Sequence, residues 1–165
     1  MSDRYVHVIW CDDIRQEIGN KPSFMGVYTG GMVLPALPSL VPRLGVQIWA
    51  STPKDQPFKN VTIRVVRDDG VVLIETPPNA IDTEAIANLA PSRPESRRTG
   101  ILAGFIVAPV ELPVGCKYLT VLVVTESEQL EGPKLYVDIN PAIYAQANPG
   151  WNPQLAEPAA EADPT

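Results

Sequence analysis

The chain is poor in the residues that build metal centres and nucleophile sites. Its 165 residues include one histidine, His7, and two cysteines, Cys11 and Cys116. There is no C-x-x-C and no Cys/His cluster. A zinc site would therefore have to gather both cysteines, the single histidine and a carboxylate from distant positions. The two cysteines sit in or beside separate strand-like runs, and Met1-Ser2-Asp3-Arg4 leads into the first run without an apolar leader. They read as buried, reduced thiols of a cytoplasmic protein. Long apolar runs are also missing: none reaches the ~18 residues of a membrane span. Positive charge is in deficit, with a net charge of −6. That argues against sequence-independent nucleic-acid binding, which works by neutralising phosphates. No G-x-S-x-G occurs, and Gly26, Gly30 and Gly31 do not lead a strand into a helix, so no phosphate or dinucleotide loop is read. The expectation is a protein without a cofactor, a nucleic-acid partner or a membrane.

Proline is abundant, with 18 residues, roughly twice its usual share of about 5%. Spread this widely, it excludes a long helical bundle. A hydrophobic content of 45% excludes a wholly disordered chain. Apolar residues recur with period two, which is the strand signature. Tyr5 to Cys11 is a first strand with apolar residues on both faces, which reads as central. Asp12 to Glu17 is a helical turn capped by Asp12 or Asp13, or an irregular continuation of the strand. Gly19-Asn20-Lys21 is a turn, and Ser23 to Thr29 a second strand. Pro35 to Pro42 holds three prolines and reads as a bridging loop packed through Leu37, Leu40 and Val41. Leu44 to Ala50 is the next strand. The clearest local signal is the hairpin of Asn60 to Arg67 and Val71 to Glu75, turned by Asp68-Asp69-Gly70.

Thr76 to Thr99 reads as a long crossover, with one short helix from Asp82 to Leu89. Ile101 to Leu112 is a strand broken by Gly104 and Pro109, which suits an edge. Lys117 to Thr125 alternates strongly. Glu126 to Pro133 is an acidic loop, and in Lys134 to Ile139 Leu135, Val137 and Ile139 face inward. Ile143, Tyr144 and Trp151 are candidates to dock on the body. Eight or nine strands with regular turns imply an all-β fold, an antiparallel two-sheet β-sandwich of immunoglobulin-like or C2-like type. Residues 1–148 form the domain, and 149–165 a disordered acidic tail rich in Pro and Ala. Glu157, Glu161 and Asp163 of that tail carry half of the net charge.

Cys11-Asp12-Asp13-Ile14-Arg15-Gln16-Glu17, then Lys21-Pro22-Ser23-Phe24-Met25-Gly26-Val27-Tyr28-Thr29-Gly30, with Pro35 and Leu44, resemble a family of small bacterial and phage proteins. The resemblance covers residues 5 to about 50. It implies a cytoplasmic bacterial or phage protein of single-domain size. No activity is established for that family, so it implies no site residues.

Candidate chemistry is sparse. Asp12, Asp13, Asp68 and Asp69 are weak candidates for a calcium-like site at one end of the strands. Calcium needs six to eight oxygens, whereas neighbouring Asp side chains on a strand point opposite ways. Capping by Asp12 and turn formation by Asp68-Asp69 explain them without a metal. Cys11 and His7 share a strand face but stand roughly 13 Å apart, too far for a nucleophile and its base. Arg15 and Glu17 share a face and could pair toward Lys21. Arg93, Arg97 and Arg98 form the one basic patch, suited to an acidic partner. These five are the candidate interaction residues, beside the apolar surface of Pro35 to Pro42 and Trp49. The expected function is a non-catalytic binding or assembly module working by protein–protein contact, with a homodimer through an edge strand or the proline-rich loop. A ligand- or calcium-binding domain is the alternative, and an enzyme the third.

Overall fold

The computed structural model describes residues 3–77, 80–85 and 95–152. Strands take up 53% of these residues, so the chain is all-β. Thirteen strands are present among the described residues, more than the eight or nine read from the sequence. The added strands are short pieces of three to five residues.

β1 (Tyr5–Cys11), β6 (Leu44–Pro53) and β9 (Arg98–Val107) form an antiparallel sheet with β6 in the middle. The largest sheet runs β4 (Gly31–Leu34), β13 (Leu135–Ile139), β11 (Tyr118–Thr125), β7 (Val61–Arg67), β8 (Val72–Glu75). On one edge of β11, β13 pairs at Tyr118 and Leu119, and β12 (Gln129–Glu131) pairs from Leu122 to Val124. β13 and β4 are parallel, so the ladders are not all antiparallel. Two small sheets complete the fold: β2 (Asp13–Glu17) with β3 (Lys21–Met25), and β5 (Ser39–Val41) with β10 (Val110–Leu112).

Period-two alternation explains the core. Val61, Ile63 and Val65 of β7 and Leu119, Val121 and Val123 of β11 turn one set of side chains inward, each at most 2% exposed. Val46, Ile48 and Ala50 of β6 meet them, with Val6 and Trp10 of β1 and Ile101 and Val107 of β9, in one buried cluster. Each such side chain adds roughly 1.5–3 kcal/mol by leaving water. The β7–β8 hairpin forms as its sequence predicts. Gly70 takes a φ of 86°, and Asp69 Oδ1 accepts from Val71 N–H at 3.1 Å.

Several expectations are corrected. β1 pairs β6 only and is not central. Its outward Tyr5, His7 and Ile9 are exposed, so two-sided apolarity did not mean two-sided burial. Of the two readings of Asp12 to Glu17 the helical turn fails and the strand continuation holds: β2 pairs β3 around Gly19 and Asn20, both at positive φ, and β3 ends at Met25 rather than Thr29. The Pro35 to Pro42 loop contains β5, which finds a partner in β10 rather than a central ladder. There Leu37 and Val41 pack on the core, whereas Leu40 is exposed. Ile101 to Leu112 is two strands in different sheets, because Pro109 has no N–H to carry the ladder on. The Glu126 to Pro133 loop includes β12. Ile139 is half exposed, while Leu135 is buried and Val137 packs against the core.

Asp82 does cap, its Oδ1 accepting from Ala85 N–H at 2.8 Å. The rest of the expected Asp82–Leu89 helix lies outside the described residues. A helix at Pro141–Ala147 buries none of its residues; Asn140 caps it, and Tyr144 meets Trp151 edge-on at 5.4 Å. Of the expected tail, residues 153–165 lie outside the described residues.

Leu119→Ala should destabilise the fold by about 2–5 kcal/mol, because it opens a cavity where both larger sheets meet. Urea melts with an unchanged slope would show it. A loss below about 1 kcal/mol would place Leu119 outside the shared core.

Candidate functional site

The three-stranded sheet has an inner face in the core and an outer face that is only partly covered. Register sets the outer rows. Tyr5, Ser51 and Gly100 lie side by side; then His7, Trp49 and Leu102; then Ile9, Gln47 and Gly104; then Cys11, Gly45 and Ile106. Trp49 is 58% exposed and Leu102 64%. Tyr5 and Ile9 are exposed beside them. None of these twelve residues is an acid, a lysine or an arginine. The exposed part of the face is thus mainly apolar, a patch of Tyr5, Ile9, Trp49 and Leu102 of the kind that marks interaction surfaces.

The β2–β3 hairpin folds over one end of the face. A Cβ on Gly45 would stand 2.8 Å from Cys11 Sγ and 3.0 Å from Ile14 Cγ1, so glycine is what lets the hairpin close down. Between hairpin and sheet lies a cleft of about 420 Å³, with Ile14, Gln16, Asn20, Gln47, Leu102 and Gly104 in its wall. Its polar groups include the carboxamides of Gln16, Asn20 and Gln47. Gln47 Nε2 donates to Ala103 O at 3.0 Å, which fixes that amide over the sheet.

The two edges of the sheet differ. At β1, Trp10 O accepts from Tyr28 N–H, Trp10 Nε1–H donates to Pro133 O, and Gly132 crowds Val8. β9 bonds to β6 along one side and to no other strand among the described residues. From Thr99 to Val107 it has no charge and no proline. Natural edge strands are usually guarded by lysine, proline or a bulge; in β9 the guards stand only at the ends, as Arg98 and Pro109.

The acidic candidates are not brought together. No group of three or more His, Cys, Asp or Glu among the described residues is placed to hold a metal ion. Asp12 Oδ1 accepts from Tyr28 O–H at 2.5 Å. The Tyr28 phenol is pushed up, first by burial and then by this bond. Gly26 shapes that corner: its φ is +63°, and a Cβ there would overlap the Asp12 carboxylate. Asp13 lies between Arg43 and Arg15. Its buried Oδ1 is 2.7 Å from Arg43 Nη2 but outside hydrogen-bonding geometry. Asp69 sits in the fork of Arg67, whose hydrogen bonds hold its carboxyl below the usual range. Asp68 N–H donates to Tyr118 O.

The basic candidates also divide. Arg15 is exposed on β2 and turns to Asp13, and Glu17 stands opposite Lys21 in the ladder. Arg98 is used internally, donating to Ser51 Oγ and Asp3 O and lying 4.5 Å over the Tyr5 ring. Arg97 borders a shallow cleft beside it, shared with Asp3, Lys54 and Asp55, so the patch is of mixed charge. Arg93 lies outside the described residues. Among the arginines the sequence did not single out, Arg4 has the most extensive set of partners. Its side chain is 6% exposed and bonds Thr52 Oγ1 (3.2 Å), Ser127 Oγ (3.0 Å) and Glu126 Oε1 (2.7 Å), with the Phe58 ring 4.9 Å away. Glu126 Oε2 in turn accepts from Lys59 N–H at 3.1 Å.

Trp49 was noticed as an apolar residue, but Ile9, Leu102 and Gly104 were not joined to it. The signal was present in β1 and β9, where apolar residues occupy both parities, and in β6 it was Trp49 alone among Gly45, Gln47 and Ser51. Compared with known proteins, the chain matches no family model, no curated protein and no solved structure.

Two predictions follow from the buried polar groups. Burial alone would raise the Glu126 carboxyl, but the bonds from Arg4 and from the Lys59 and Asn60 backbone outweigh it and hold it at about 2. A depressed acid stabilises the fold above the ordinary glutamate range and loses that contribution as pH falls through its folded value. Urea melts should therefore weaken from about pH 5 toward pH 2, less steeply in Glu126→Gln. Arg4→Met should cost roughly 2–3 kcal/mol at neutral pH; a change under about 0.5 kcal/mol would show the cluster to be ornamental. The thiols give the second prediction. Burial, then Asp68, pushes Cys116 up to about 11, and burial, then Asp12, pushes Cys11 up. Neither should react with a disulfide reagent at pH 8 in the folded protein, and both should react in denaturant. A fast-reacting native thiol would contradict this burial.

Proposed function

We propose that the protein is a non-catalytic binding or assembly module that works by protein–protein contact, through the open edge of β9 and the apolar face beside it. One observation carries this reading: a ten-residue edge strand, uncharged from Thr99 to Val107, borders a face on which Trp49 and Leu102 are more than half exposed. Main-chain groups on such an edge give affinity by adding a strand, and the neighbouring side chains give selectivity. The associated fold reading is a two-sheet β-sandwich of immunoglobulin-like or C2-like type. It is supported by the single core cluster that draws on both larger sheets. Free, buried Cys11 and Cys116 support a reducing, cytoplasmic setting. No helix among the described residues is long and apolar enough to cross a membrane. The proline-rich loop offers less as a contact surface. Exposed Leu40 stands there beside Arg67 and Glu111, so the surface is small and charged.

Leu102→Lys tests the proposal, because it sets a charge in the middle of the exposed face without touching the core. The variant should melt within a few degrees of the parent, since surface substitutions usually change stability by less than about 0.5 kcal/mol. It should lose self-association in light scattering, or a protein that the parent captures reproducibly. A parent that stays monomeric and captures the same proteins as Leu102→Lys would overturn the proposal.

A further inference from the structure

Resting on that reading, we infer that the partner is a second copy of this chain, joined β9 to β9 about a two-fold axis at Ala103. Antiparallel pairing places residues of equal parity opposite each other, so outward residues meet outward ones and inward residues meet inward ones. With the axis at Ala103, Leu102 faces Gly104 of the other copy, Ile101 faces Phe105, Gly100 faces Ile106, and Thr99 faces Val107. This register uses nearly the whole of β9 and puts no two charges together. The two sheets become one continuous six-stranded sheet.

The outer rows fit together in this arrangement. Leu102 is the most exposed large residue of β9. Gly104 lies two residues along, on the same face, at the wall of the 420 Å³ cleft. Each Leu102 then stands over the other copy's Gly104 and enters the other copy's cleft, while its own Trp49 flanks it. A knob and a hole spaced two residues apart on one strand are complementary to themselves only under antiparallel two-fold pairing. A shift of the axis by one residue either way sets Leu102 against Leu102 or Gly104 against Gly104, and both registers leave the holes empty.

Size is consistent with a real but modest dimer. Ten residues at about 3.3 Å span roughly 33 Å, and a sheet layer is about 10 Å deep, so each edge offers about 330 Å² in flat projection. That is below the ~600 Å² per partner at the low end of specific interfaces, which makes the pairing a weak and reversible one.

Three measurements decide the matter. Light scattering at about 100 μM should give twice the chain mass of 17.9 kDa, with reversible dissociation on dilution, as small interfaces do. Gly104→Val should raise the dissociation constant at least tenfold by filling the hole. Its Cβ would come 3.0 Å from Gln47 Oε1, the far end of a side chain held by one hydrogen bond to Ala103 O, so that amide must shift while the backbone stays in place. Ala103→Cys should cross-link to itself under mild oxidation, whereas Thr99→Cys should not. That pair tests the register even if Gly104→Val fails to fold. A monomeric parent that still captures a protein in a Leu102-dependent way overturns the two-fold pairing and leaves the binding module standing. A monomeric parent without such capture overturns both. A dimer that cross-links at Thr99 and not at Ala103 overturns this register.

Discussion

The guanidinium of Arg4 ties together segments that lie far apart in the chain. It enters from the residue before β1 and reaches Thr52 near the end of β6, the Gln56–Pro57 carbonyls, Thr125 at the end of β11, and Glu126 and Ser127 just beyond it. A charge at 6% exposure is tolerable only when nearly every donor has an acceptor. That requirement sets the distance between the end of the three-stranded sheet and the turn leaving β11. Glu126 completes the lock, bonding Arg4 with one oxygen and the backbone of Lys59 and Asn60 with the other. The apolar core holds the two larger sheets together, but apolar packing alone has little directional preference. The Arg4 cluster supplies the direction at one end. The outer face of the three-stranded sheet depends on that placement, because β1 and β6 are positioned through it.

What was readable in the sequence was what is local. Asp69-Gly70 between two alternating runs determines the β7–β8 hairpin, and the pattern of Leu119, Val121 and Val123 determines β11. Pairings between distant segments left no such mark. β4 lies parallel to β13 about a hundred residues later in the chain, and β5 finds β10 about seventy later; neither short run has a period long enough to read. Arg4 was equally silent, since the polar partners named above lie at least 48 residues away. The acidic pairs show the converse. Asp12-Asp13 and Asp68-Asp69 were conspicuous because they are adjacent, yet Asp12, Asp13 and Asp69 are each engaged by a tyrosine or an arginine of their own neighbourhood.

The most informative misreading concerns β1. Apolar residues on both faces of a strand have two causes that sequence alone does not separate: burial on both sides, or burial on one and an apolar surface on the other. In β1 and β9 the second holds, while β6 between them is buried on both faces except at Trp49. The same pattern that placed β1 wrongly in the centre of a sheet was the trace of the candidate site, spread over three strands that are far apart in sequence and adjacent only in the folded chain.

Glycines on the outer face sharpen that trace. Glycine weakens a strand by roughly 0.5–1 kcal/mol relative to alanine, so each one in a ladder calls for a reason. Gly45 has one in the side chains of Cys11 and Ile14. Gly100 has one in the Ala50 carbonyl, which would lie 2.5 Å from its Cβ. Gly104 has a weaker reason among the described residues, for its nearest neighbour is the Gln47 amide at 3.0 Å, the far end of a side chain held by one hydrogen bond to Ala103 O. An alanine or a β-branched residue would fit there with a small shift of that amide and would strengthen the edge. A bare backbone at that point, on an uncharged edge, beside a cleft and two residues from an exposed leucine, is accounted for when something outside the chain comes close to it. The residue that looked like a break in a strand is then the part of β9 most specific to its partner.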